Sequence, residues 1–158
     1  QPVQRFDVSD DLRDHYRKSN TAILFHGTRS VNVKGIMSTG FRFPKDLVGV
    51  VITGSAFGPG TYFASDFKKS IGYTSLSGSY WSNGDGGVRS RGAFMLFNDV
   101  VLGNGYIAPH SNGYTLPPKG HDSVIARAGR TSGVANDEYV IYSLDKYNIR
   151  YLCEFTTS

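Results

Sequence analysis

The chain has 158 residues, of which 39% are hydrophobic and 13% aromatic, and a formal net charge of +4. This length and apolar content predict one domain with its own hydrophobic core and exclude a wholly disordered chain. The single cysteine, Cys153, excludes an internal disulfide and a cysteine-rich zinc site.

The first quarter of the chain is expected to combine two helices with one strand. Alternating charges and apolar residues four apart predict a helix at 6–19, within a helical lead-in of residues 1–20. Residues 21–26 (TAILFH) are typical of a buried strand. A short helix is predicted from an N-cap at Ser30 to a stop at Gly40, because serine caps the first amides and glycine ends many helices.

A second strand and a third helix follow a connecting loop at 41–52. Residues 61–64 (TYFA) predict a short strand, and Ser65 is expected to cap the helix after it. Residues 76–92 are rich in glycine and serine and show no periodicity, which predicts a long loop.

Strands dominate the second half. The pattern predicts strands at 93–102 (AFMLFNDVVL), 106–108, 138–142 (EYVIY) and 150–156, while residues 110–137 are expected to be largely loop. Helices early and strands late favour an α+β fold with antiparallel sheets over a doubly wound parallel fold.

Common nucleotide and metal motifs are missing. Gly58-Pro59-Gly60 begins like a dinucleotide-binding glycine pattern, but Phe63 stands where its last glycine would be. There is no P-loop, and the four histidines have no cysteine partners in a zinc-ligand pattern. The sequence therefore gives no support to these routes to nucleotide or metal binding.

Three local signatures occur in order along the chain. They are LFHGTR at 24–29, FGPGTYFA at 57–64 (followed by Lys69, Ser70 and Tyr73), and NDEYVIY at 136–142. Together they resemble the His-Tyr-Glu signature of the diphtheria-toxin-like ADP-ribosyltransferases, specifically the catalytic domain of poly(ADP-ribose) polymerases. The resemblance runs from about residue 24 to residue 155.

The resemblance extends to one branch of the family. PPKGHDSVI at 117–125 and the short connection at 126–137 are most similar to the tankyrases. The loop at 76–92 lacks the cysteine-based zinc staple of that branch. The family fold implies two packed antiparallel sheets with peripheral helices around an NAD⁺-binding cleft. Residues 1–158 would form a single catalytic domain without a regulatory helical domain.

The resemblance also implies the site. His26, Tyr62 and Glu138 would be catalytic, with Glu138 stabilising positive charge on the ribose and orienting the acceptor. Gly27 and Ser70 would bind the nicotinamide amide between the rings of Tyr62 and Tyr73. The full set of implied NAD⁺ contacts is His26, Gly27, Thr28, Arg42, Tyr62, Phe63, Ala64, Lys69, Ser70 and Tyr73.

The implied activity is transfer of ADP-ribose from NAD⁺, a consumed co-substrate, to a protein or nucleic-acid acceptor, without a metal. Glu138 and Lys69 favour polymer formation within the family. We expect a monomeric catalytic domain. We also expect an intracellular location, since no signal peptide or membrane segment is visible in the sequence. Two alternatives stay open: an inactive module of the same fold that binds NAD⁺ or ADP-ribose, and a basic nucleic-acid-binding domain suggested by the pI of about 9.2.

Overall fold

The computed structural model describes residues 2–5, 19–42, 56–74 and 92–156, in which a sheet dominates and the helices are short. The strands are β1 (Pro2–Arg5), β2 (Thr21–Thr28), β3 (Thr61–Ala64), β4 (Gly92–Val101), β5 (Gly105–Ile107), β6 (Ser123–Ala126), β7 (Glu138–Ile141) and β8 (Tyr147–Thr156). The helices within these ranges are α1 (Ser30–Thr39), α2 (Phe67–Ile71) and a 3-10 turn at Leu144–Lys146.

The described strands are hydrogen-bonded in one continuous order, β1-β8-β4-β2-β3-β7-β6-β5. Strands β2 and β3 share a single register pair, Phe25 opposite Ala64. This narrow junction divides the order into a group of β1, β8, β4 and β2 and a group of β3, β7, β6 and β5. The family resemblance implies two packed sheets, whereas the described strands are hydrogen-bonded in one order. The packing of the two groups against each other as separate sheets stays a prediction.

The expectation of purely antiparallel strands is wrong for one pair. Strands β5 and β6 run parallel, with Gly105 opposite Ser123, whereas the other pairs in the described residues are antiparallel. A parallel pair needs a crossover of about a dozen residues or more. The long connection at 108–122 provides it, because it returns the chain to the end of the sheet where β5 began.

One buried cluster joins the two groups of strands. It consists of Leu24, Phe63, Val100, Leu102, Ile125, Tyr139, Ile141 and Tyr147. A second cluster, centred on Phe57, Val124 and Val140, covers the opposite face of β3, β7 and β6, because side chains alternate along a strand. Helix α1 packs Val33 against β4 and β8. The first cluster therefore holds β3 and β7 beside β2, where the candidate site lies.

Several predicted boundaries need correction. Ser30 is the first residue of α1 rather than its cap, since Arg29 occupies the N-cap position. Asp66, not Ser65, caps α2: its side chain accepts a hydrogen bond from the Lys68 amide at 2.7 Å. Gly40 does end α1, with a φ of 75° that suits glycine.

Two strands were not predicted. Residues 2–5 belong to the lead-in segment but precede its predicted helix at 6–19, and they pair with β8 as an edge strand. Residues 123–126 lie within the predicted loop and form β6, between β5 and β7. The rest of the lead-in (6–18) and most of the predicted loops at 41–52 and 76–92 fall outside the described residues. No helix in the described part of the chain is long and apolar enough to cross a membrane.

Candidate active site

His26 lies near the end of β2 and reaches across to β3. Its Nδ1 lies 2.9 Å from the carbonyl oxygen of Tyr62. Since a carbonyl can only accept, Nδ1 carries the hydrogen and Nε2 keeps its lone pair in the neutral ring. Burial lowers the pKa of His26, and the Tyr62 carbonyl partly opposes that change. The imidazole is therefore neutral near pH 7, with Nε2 available to accept a ligand hydroxyl.

Gly27, the next residue of β2, lies against the backbone of α2. A Cβ added at this position would be 1.9 Å from the carbonyl oxygen of Ser70, a clash with main chain that cannot swing away. Ser70 is buried, and its carbonyl also accepts the Tyr73 amide at 3.2 Å. The missing side chain of Gly27 thus brings α2, with Ser70 and Tyr73, close to β2.

Tyr62 has a fixed hydroxyl. It accepts a hydrogen bond from the Phe57 amide at 3.0 Å and donates one to the Gly58 carbonyl at 2.8 Å. Burial raises the pKa of Tyr62 to about 12, the Phe57 amide opposes this, and the Glu138 carboxylate adds to the rise. Tyr62 therefore stays neutral, and its ring orientation is set by a turn of the backbone.

Tyr73 differs from Tyr62 because 46% of it is exposed. Burial raises the pKa of Tyr73, and the nearby Glu138 carboxylate raises it further. An exposed aromatic ring within the field of a buried carboxylate is suited to cover a cationic aromatic ligand.

Glu138 is the first residue of β7 and stands opposite Ala64 of β3. Val140, two residues later in β7, stands opposite Tyr62. Because residues two apart in a strand point to the same face, Glu138 and Tyr62 share one face of the β3–β7 pair. Only 8% of Glu138 is exposed, and its Oε1 forms an ion pair with Nζ of Lys69 on α2. The carboxylate is thus held beside the two tyrosines by α2 and β7 together.

The arrangement combines a buried carboxylate, two aromatic rings, a neutral imidazole and a serine beside a glycine backbone. Aromatic faces and a carboxylate stabilise a planar cation and positive charge that develops next to it. Backbone and hydroxyl groups bind an amide, and Nε2 of His26 can accept from a sugar hydroxyl. The described residues contain no group of three or more His, Cys, Asp or Glu placed to hold a metal ion.

Four predicted NAD⁺ contacts have other surroundings. Thr28 is buried, and its Oγ1 accepts a hydrogen bond from the side-chain Nδ2 of Asn32 at 3.5 Å. Phe63 points into the first core cluster, and Ala64 is buried beside Glu138 in the register. Arg42 is exposed and is the last residue of the described range 19–42.

The residues that bind the Tyr62 hydroxyl are not evident from the sequence. Phe57 and Gly58 supply the backbone groups for its hydroxyl, and the Tyr142 hydroxyl donates to the Phe57 carbonyl. Strand alternation would have placed Tyr142 on the same face as Glu138, four residues earlier. Its contact with the distant turn has no signal in the sequence.

Known proteins are similar to this chain in sequence along almost its whole length. The family model for the poly(ADP-ribose) polymerase catalytic domain matches residues 1–157. The poly(ADP-ribose) polymerase-like protein 100L of Invertebrate iridescent virus 6 is 28% identical over 98% of this chain and 83% of its own length. Poly(ADP-ribose) polymerase 1 of Gallus gallus is 26% identical over 95% of this chain, and the mono-ADP-ribosyltransferase PARP3 of Mus musculus is 27% identical over 96%.

The match covers very different shares of these relatives. The chain spans 16% of the Gallus gallus polymerase and 32% of the Mus musculus transferase. The family model nevertheless covers nearly all of this chain, including each of the strands and helices described above. The chain belongs to the poly(ADP-ribose) polymerase catalytic domain family.

Proposed function

We propose that this chain is an NAD⁺-dependent ADP-ribosyltransferase, which cleaves the bond between nicotinamide and ribose and transfers ADP-ribose to an acceptor. The observation that carries the proposal is the buried carboxylate of Glu138. It lies on the same face as Tyr62, raises the pKa of both Tyr62 and Tyr73, and is paired with Lys69. Family membership supports the same reaction.

The chemistry needs negative charge beside the ribose. As the C–N bond breaks, its electron pair leaves with nicotinamide, which becomes neutral, and the ribose carbon becomes oxocarbenium-like. An acceptor hydroxyl, carboxylate or phosphate then bonds to that carbon, and a hydroxyl acceptor gives up its proton. Glu138 supplies the charge and can orient the acceptor or receive its proton, a contribution of about 10²–10⁴-fold.

The remaining residues bind and orient. Tyr62 and Tyr73 would stack on the nicotinamide ring, and each face is worth about 0.5–2 kcal/mol. The Gly27 backbone and the Ser70 hydroxyl would hold its amide. Nε2 of the neutral His26 would accept from a ribose hydroxyl. Thr28, Arg42, Phe63 and Ala64 would contribute at the edge of the site or through the backbone.

The finer features are part of the same proposal. The Glu138–Lys69 pair favours polymer formation over single transfer, and the acceptor is a protein or a nucleic acid. The catalytic domain would act as a monomer and belong to the tankyrase-like branch, with residues 1–158 as one catalytic domain. The full His-Tyr-Glu assignment of His26, Tyr62 and Glu138 belongs here as well.

Mass spectrometry of the products tests the proposal. The chain is incubated with NAD⁺ labelled in the adenine, together with protein and RNA acceptors. We expect free nicotinamide and a matching amount of labelled ADP-ribose, either attached to an acceptor or hydrolysed. Binding of NAD⁺ without release of nicotinamide would instead indicate a binding module on the same fold. Absence of NAD⁺ binding would contradict both.

A further inference from the structure

We propose that Tyr142 is a positioning residue for the stacking ring of Tyr62. Its hydroxyl holds the Phe57–Gly58 turn, and that turn is the anchor of the Tyr62 hydroxyl. The inference rests on the proposed function, because it assigns Tyr142 an effect on the nicotinamide subsite.

Two tyrosine hydroxyls hold successive backbone groups of this turn. The Phe57 amide donates to Tyr62, the Phe57 carbonyl accepts from Tyr142, and the Gly58 carbonyl accepts from Tyr62. The Tyr142 contact therefore lies between the two contacts of Tyr62 along the backbone. Loss of the Tyr142 hydrogen bond frees the Phe57 carbonyl and allows the Phe57–Gly58 turn to rotate. The Tyr62 hydroxyl, which is bonded to the turn, then moves with it.

The turn itself fits tightly on its other sides. Phe57 is fully buried in the second core cluster. Gly58 has a φ of 93°, and a Cβ added there would be 1.5 Å from the Tyr114 carbonyl oxygen. A Cβ at Gly60 would be 2.6 Å from Val140. Close packing on these sides and the hydrogen bond from the Tyr142 hydroxyl together hold the turn in one position.

Tyr62 would contact a ligand through its ring, because its hydroxyl is already bonded to the backbone. Tyr62 uses its single proton on the Gly58 carbonyl and a lone pair on the Phe57 amide. Burial raises the pKa of Tyr142, as it does that of Tyr62, so both phenols stay protonated and able to donate near pH 7. What the turn fixes is therefore the plane of the Tyr62 ring.

Glu138 is the first residue of β7, and Tyr142 follows directly after its last residue, Ile141. Tyr142 packs against the cluster of Val140, which lies on the same face of β7 as Glu138. Loss of the Tyr142 hydroxyl disturbs the turn and leaves the Glu138–Lys69 pair in place. A change confined to the stacking ring alters ligand affinity and KM more than kcat. A general loss of stability would not produce that difference.

A double-mutant cycle with benzamide as the probe tests the inference. Tyr142→Phe, Tyr62→Phe and the double variant each keep the aromatic rings that pack the core. We expect Tyr142→Phe to weaken benzamide binding and raise the KM for NAD⁺ by about 3–10-fold, with kcat within about twofold. In the Tyr62→Phe background, the same change should alter the benzamide Kd by less than about twofold.

Tyr147→Phe is the matched control. It removes a buried tyrosine hydroxyl that bonds to Thr61 at 2.7 Å, on the opposite face of β3. We expect a lower melting temperature and a benzamide Kd within about twofold of wild type. An unchanged Kd in Tyr142→Phe, or an equal loss in both backgrounds, would overturn the inference alone. Wild-type protein that does not bind benzamide would overturn the proposed function, and the inference with it.

Discussion

Glu138 and Lys69 form an ion pair in which 11% of the glutamate side chain and 13% of the lysine side chain are exposed. The pair joins the start of β7 to α2 and lies beside both tyrosines of the candidate site. A carboxylate removed from water is costly unless a cation compensates it. The Lys69 ammonium therefore compensates the buried carboxylate of Glu138 where the proposed reaction needs negative charge.

Replacement of Lys69 by methionine should destabilise the protein, because it leaves the Glu138 carboxylate buried without a cation. We expect a loss of about 3 kcal/mol in the free energy of unfolding, measured by urea denaturation. In a Glu138→Gln background most of that loss should disappear. Lys68→Met, on an exposed neighbour in α2, is the control, and we expect a change within about 0.5 kcal/mol. Equal effects of the two lysine variants would contradict this account of the pair.

Gly27→Ala should disrupt the amide subsite, because the new Cβ would lie 1.9 Å from the Ser70 carbonyl oxygen and push α2 away from β2. We expect benzamide binding to weaken by about tenfold or more, roughly 1.4 kcal/mol, in calorimetric titration. Gly35→Ala in α1 adds a methyl into open space and should stabilise the protein by about 0.5–1 kcal/mol. Wild-type benzamide affinity in Gly27→Ala would show that the close approach has no role in binding.

Tyr73→Ala should weaken benzamide binding by about 5–30-fold, or 1–2 kcal/mol, because a stacking face is lost. The melting temperature should change little, since 46% of Tyr73 is exposed. Leu116→Ala removes another exposed large hydrophobic side chain and should leave the affinity unchanged. Similar affinities in all three proteins would mean that Tyr73 is only a surface residue.

The folded protein should lose stability in mild acid, because His26 is buried as a neutral imidazole. Its pKa in the folded state lies below 6.5, its ordinary value, so the unfolded state binds more protons between those two pH values. Stability is therefore complete above about pH 6.5 and falls as the pH decreases towards the folded pKa. Urea denaturation of wild type and His26→Gln between pH 7.5 and pH 5, roughly the range in which histidine titrates, measures the difference. If the free energy of unfolding of His26→Gln fell with decreasing pH as steeply as that of wild type, this assignment would be contradicted.

Much of the framework follows from local sequence. Residues 93–102 and 138–142 are largely apolar runs whose composition is typical of buried strands. The observed strands β4 and β7 start and end within one residue of the predicted limits. Strand β6 escaped prediction because four residues between glycine and proline turns carry no periodicity. Its burial and its pairing with β5 and β7 come from distant parts of the chain.

The site divides in the same way. The residue types at His26, Gly27, Tyr62 and Glu138 are visible in the motifs, and the structure brings them to adjoining strands. The partner of Glu138 could not be found from sequence, because Lys69 reaches it only after α2 packs on β2. The outward or inward direction of a side chain is readable from strand alternation, which would have assigned Phe63 to the core opposite Tyr62.

Nicotinamide release from NAD⁺ by wild type and Glu138→Gln tests the central claim most directly. Both proteins should bind benzamide equally, which shows that the site is intact, and Glu154→Gln on β8 should release nicotinamide at the wild-type rate. We expect Glu138→Gln to be slower by about 100-fold or more, roughly 2.7 kcal/mol, because the amide keeps the size of the side chain and removes its charge. Release within a few-fold of wild type would contradict the assignment of Glu138 as the catalytic carboxylate.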